Sequence, residues 1–149
     1  MATAVEYKTG ASLVDEETFA RIVLFMVNDP QFKEDPKHAP GILDQALAYY
    51  GAVAVHAGDP LMPSEAVDRG VHAILLHTRE SHDLFNRIAG RFLHHNPHPE
   101  RGGRPAASLA ETKAAIRDAG YVVQDKFWAT VEGGVSQCDS DDGRPYSTV

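Results

Sequence analysis

The chain has 149 residues, 43% of them hydrophobic and 23% charged, with eight histidines and a single cysteine. A chain of this length suits one domain and can bury roughly 70% of its unfolded surface. The formal net charge of −7 argues against a phosphate-binding footprint for nucleic acid, and no Lys/Arg cluster is present to dock on anionic lipid.

With Cys138 alone, no internal disulfide can form. The first residues show no basic segment followed by an apolar core, so no secretory signal is expected. Apolar runs such as IVLFMV fall far short of the roughly 20 residues that a membrane helix needs. The expectation is a cytoplasmic protein that binds neither nucleic acid nor membrane.

In chain order, the first dozen residues lack periodicity and are expected to be a loose arm. Residues 14–29 read as a helix. Asp15 can cap it, Glu16 and Glu17 suit the positive end of its dipole, and Phe19, Ile22, Val23 and Met26 form an apolar face. A second helix over 39–58 starts with Pro40 in its first turn. Its stripe is Leu43, Ala46, Leu47, Tyr50, Val53 and Ala54, and Gly58 is the expected C-cap.

Ser64 can cap a third helix over 64–78, and a fourth follows over 79–90 with little or no break, ending at Gly90. Residues 91–105 form a basic, Pro/Gly-rich loop. Ser108 and Glu111 have capping-box spacing and open a fifth helix that ends at Gly120. Residues 121–134 read as extended chain or a short helix. The fold class expected is all-α, an irregular bundle of about five helices. A single helical domain spans 1–132, and a flexible acidic tail spans 133–149.

Chemistry concentrates in the third and fourth helices and the loop beyond them. His72, His77 and His82 follow one another at steps of five. Five residues turn an ideal helix through about 500°, leaving neighbouring histidines about 140° apart. His72 and His77 can therefore share one metal only if the helix breaks near Thr78, and His82 is expected on the solvent face. Asp68 and His72 stand at i, i+4, where a carboxylate can orient an imidazole or both can ligate a metal. A plain helical ion pair fits the same spacing. His94, His95 and His98 lie in the loop, and loop histidines can converge on a site built by helix side chains.

The string from Pro63 to Pro97 resembles a family of small actinobacterial proteins similar to glycine-rich-domain-containing proteins. Their pattern runs V-D-x-x-W-H-x-x-L-L-H-T, then Y-x-x-F, then G-R-F-x-H-H-x-P. Here Val67, Asp68, His72, Leu75, Leu76, His77 and Thr78 match it, followed by Phe85, Gly90, Arg91, Phe92, His94, His95 and Pro97. Val71 stands where the family has tryptophan, and the tail lacks a second cysteine beside Cys138. The resemblance directs attention to these residues and implies no settled reaction.

Three readings are open at this point. The first is a histidine-rich metalloprotein. Its most specific form is a small metal-dependent enzyme of bacterial secondary metabolism. Asp68, His72, His77, His94 and His95 would be ligands to Zn²⁺, Fe²⁺ or Cu²⁺, and His72 with Asp68 would be the catalytic pair. The second is a metal-free His72/Asp68 acid–base catalyst or small-molecule binder, with a pocket between helices lined by Tyr49, Tyr50, Phe85 and Phe92. The third is a helical interaction protein whose tail binds a partner such as a peptide. No G-x-G-x-x-G, Walker A, G-x-S-x-G or H-E-x-x-H string occurs.

Overall fold

The computed structural model describes residues 6–99, 106–129 and 138–141. Among these, five helices form an irregular all-α bundle: α1 (Glu16–Asn28), α2 (Ala39–Val55), α3 (Glu65–Leu76), α4 (Thr78–Ala89) and α5 (Leu109–Asp118). No helix is long and apolar enough to cross a membrane among the described residues.

The helix starts follow local chemistry. The Asp15 carboxylate accepts from Thr18 N at 2.7 Å, and that bond holds its pKa below the usual value. Ser64 accepts from Val67 N at 3.1 Å. Ser108 and Glu111 complete the reciprocal capping box of α5. Gly90 ends α4 in the left-handed conformation at φ 66°, which a glycine adopts without strain.

The centre of the bundle is α2. Every residue from Ile42 to Val53 is buried, rather than one stripe, because α2 touches all four other helices. It stops at Val55, short of Gly58, where His56 turns to extended backbone. The third and fourth helices are also separated: His77 (φ −87°, ψ 72°) caps the end of one and the start of the other.

The expected loose arm is ordered from Glu6 onward. Lys8 pairs with Tyr121 in a parallel bridge, and a 3-10 turn covers Gly10–Leu13. A Cβ on Gly10 would lie 1.8 Å from Asp44 O, so only glycine allows this segment to rest on α2. Residues 121–129 take the extended form with a 3-10 turn at Asp125–Phe127.

One buried polar network on α2 holds both flanking segments. Asp44 Oδ1 accepts from Ala11 N at 2.8 Å, and Oδ2 accepts from Gln45 Nε2 and Gln124 Nε2. Gln45 Oε1 accepts from Gln124 N and Trp128 Nε1, while its Nε2 also donates to Val122 O. Each polar atom of this pair is matched, as a buried network requires.

The expected tail, 133–149, is described only at residues 138–141, and there it is docked. Asn96 and Asp139 exchange backbone hydrogen bonds of 2.9 Å, and Ser140 N donates to Leu61 O at 2.9 Å. Residues 138–141 thus pack against the helical part of the chain.

Candidate metal centre

Asp68 and His72 lie one turn apart on α3. Ser64 fixes the start of this helix by two contacts: it caps Val67 N and donates to Phe127 O at 2.6 Å. The helix is then pinned from the side. Arg69 grips buried Glu34 through Nε and Nη2, at 2.8 and 3.1 Å. Asp68 and His72 are thus presented from a rigid element.

His95 reaches them from the loop after Gly90. Leu93, 2% exposed, anchors that loop in the core, and Asn96 is paired to Asp139. The ring between these two anchors is buried, its side chain 7% exposed. Cys138 arrives from the other side of the Asn96–Asp139 bridge and is also buried.

Four donor atoms, from Asp68, His72, His95 and Cys138, lie within 4.8 Å of one another. His72 Nε2 is 3.1 Å from His95 Nε2, 3.4 Å from Asp68 Oδ2 and 4.0 Å from Cys138 Sγ. His95 Nε2 is 2.9 Å from Asp68 Oδ1, yet that oxygen is buried without a hydrogen bond. The separation is that of an ion pair, but the direction does not suit an N–H donor. Around a tetrahedral ion with bonds of about 2.0–2.2 Å to N or O, neighbouring donors sit about 3.3–3.6 Å apart. The His72–Asp68 Oδ2 separation falls on that edge length, the His72–His95 and His95–Asp68 Oδ1 separations lie inside it, and the thiol stands outside it.

Burial lowers the pKa of His72 from its ordinary value and the neighbouring His95 adds to this, against an opposing pull from Asp68. The neutral imidazole is the form that offers a lone pair. Beneath the cluster, burial and the charge of Asp68 push the Tyr50 hydroxyl far up, so it stays protonated. That hydroxyl is buried and has no hydrogen-bond partner. Tyr49, also held protonated by burial, donates to Leu61 O at 3.0 Å.

Of the residues singled out from sequence, Asp68, His72 and His95 meet. His77 falls outside this group: its Nδ1 is 2.7 Å from Ala73 O and its ring edge meets Phe25 at 5.0 Å. His94 also falls outside. It is exposed and its ring lies 5.0 Å from Phe92. His82 is on the exposed face, as expected. Cys138 was not among the expected ligands. The signal available was its being the lone cysteine in a histidine-rich chain.

Of the four aromatics expected around a pocket, Tyr49, Tyr50 and Phe85 are core side chains no more than 1% exposed, and Phe92 is exposed. Comparison with family models, with curated proteins and with solved structures returned no match.

Proposed function

We propose that this protein is a metalloprotein binding one divalent transition-metal ion, Zn²⁺ foremost, through Asp68, His72, His95 and Cys138. One observation carries the reading: a single nitrogen, His72 Nε2, faces a carboxylate, a second imidazole nitrogen and a thiol at once. A nitrogen has one proton to donate or one lone pair to offer, so hydrogen bonding matches only one of these neighbours. A metal-free Cys–His–Asp relay would instead use the two ring nitrogens for two different partners. A cation at the common point satisfies all the donors together, including the orphaned Asp68 Oδ1.

Mixed carboxylate, imidazole and thiolate donors suit Zn²⁺; Fe²⁺ and Cu²⁺ accept the imidazoles as well. The His72 side chain is 45% exposed, so the centre is reachable from solvent. That access supports a working centre over a sealed structural one. An ion there would supply Lewis acidity, and it would hold and acidify a water only where one of the four donors leaves its position.

Elemental analysis of protein purified without a polyhistidine tag tests the reading. We expect close to one equivalent of metal, with most of it lost in His72→Ala and His95→Ala. Wild-type protein that retains no metal after incubation with Zn²⁺ and dialysis would overturn it.

A further inference from the structure

The proposed centre draws its donors from two unequal sources. Asp68 and His72 belong to α3, and His95 to a loop pinned by Leu93. Cys138 comes from a separate segment, a strap described at residues 138–141, and is 66 positions away from His72 in the chain. The three N/O donors approach one another at 2.9–3.4 Å, while Sγ is 4.0 Å from His72 Nε2. For bonds of about 2.3 Å to sulfur and about 2.1 Å to nitrogen, the tetrahedral S–N edge is about 3.6 Å. The N/O donors are already drawn together, inside or at the tetrahedral edge, whereas Sγ stands outside it.

Specific contacts fasten the strap. Asn96 pairs with Asp139 through two backbone bonds, and its Nδ2 donates to Asp139 Oδ1 at 3.0 Å. Ser140 N donates to Leu61 O, and Ser140 Oγ accepts from Leu61 N at 2.8 Å. One contact works against docking. Asp139 is 1% exposed and its Oδ2 has no hydrogen-bond partner, so the strap buries a carboxylate oxygen uncompensated. A bond from Cys138 to an ion would help to offset that defect.

We propose that Asp68, His72 and His95 form a permanent three-donor platform and that Cys138 is an exchangeable fourth ligand delivered by the strap. The inference rests on the metal reading above. The strap then decides whether an outside ligand reaches the ion. The class of ligand is a small thiolate, which matches the sulfur it replaces in charge and softness. Exchange swaps one sulfur–metal bond for another, with the Cys138 sulfur taking up a proton as it leaves, so no oxidant is involved.

The test uses full-length protein loaded with Co²⁺, whose thiolate-to-metal charge-transfer absorption reports a bound sulfur. Wild type should show that band. Cys138→Ser should still bind one Co²⁺, weakened by no more than about 100-fold, and lack the band. Adding 2-mercaptoethanol to Cys138→Ser should restore it. Asn96→Ala keeps the thiol but loses the side-chain bond to Asp139, and should show a weaker band at unchanged Co²⁺ stoichiometry. If Cys138→Ser folds by circular dichroism but holds no Co²⁺, Cys138 is an integral ligand and the proposal fails. It also fails if wild type binds Co²⁺ without the band, or if 2-mercaptoethanol restores nothing. Wild type that binds no Co²⁺ at all sinks the metal reading itself, a separate result.

Discussion

Two polar clusters lie in this molecule, one buried and one partly open to solvent, and they differ in completeness. The Asp44–Gln45 pair on α2 binds the segments around Ala11, Val122, Gln124 and Trp128, and every side-chain oxygen and nitrogen of the pair has a partner. The Asp68–His72–His95–Cys138 cluster also joins distant segments, yet Asp68 Oδ1 there is orphaned, and so is Asp139 Oδ2 beside Cys138. A finished network stabilises a fold as it stands. An unfinished cluster of converging lone pairs is costly until a cation arrives. The comparison teaches that burial and polarity alone do not mark a site, whereas unmet donors pointing at one place do.

Zn²⁺ should break the symmetry between the clusters most strongly. At a free Zn²⁺ concentration 1,000 times its dissociation constant, the folded state should gain about 4 kcal/mol, seen as a rise in denaturant midpoint. The gain should vanish in His72→Ala. Gln45→Leu should do the reverse. It strands the Trp128 indole N–H, Gln124 N and Val122 O, and should cost about 3 kcal/mol in urea unfolding while leaving metal stoichiometry at the wild-type value.

His77→Ala and His94→Ala sharpen the contrast from inside the histidine-rich segment. Neither ring belongs to the converging group, so each should change Zn²⁺ affinity by less than about 3-fold in competition titrations, against more than about 100-fold for His72→Ala. Equal losses for His77 and His72 would put the boundary of the site elsewhere.

The smallest effect concerns pH in the metal-free protein. The His72 pKa is lowered from its ordinary 6.5, first by burial. Below 6.5 the unfolded chain then binds more protons than the folded one, so stability falls as pH falls through this window. Under chelator, wild type should therefore lose more of its melting temperature between pH 8 and pH 5 than His72→Gln does. A larger loss in the variant would contradict the assigned direction.

The helices were legible in the sequence because their signals are local. Asp15, Ser64, Ser108 and Gly90 act within a turn of where they stand. The i, i+4 spacing likewise brings Asp68 beside His72, and steps of five separate His77 from it. What was hidden depends on tertiary contact. The burial of α2 on every side follows from four neighbours that its own pattern does not announce. The ordered N-terminal segment needed Gly10 to meet Asp44, and Cys138 needed the pairing of Asn96 with Asp139. A polar, acidic stretch reads as solvated tail until its backbone partners are known.

The most direct test of the central claim is X-ray absorption at the zinc edge on the Zn²⁺-loaded, untagged full chain. The account predicts a four-coordinate shell with one sulfur at about 2.3 Å, and three N/O donors at about 2.0–2.2 Å that include imidazole scattering. A shell of oxygens alone, or one without imidazole, would contradict it.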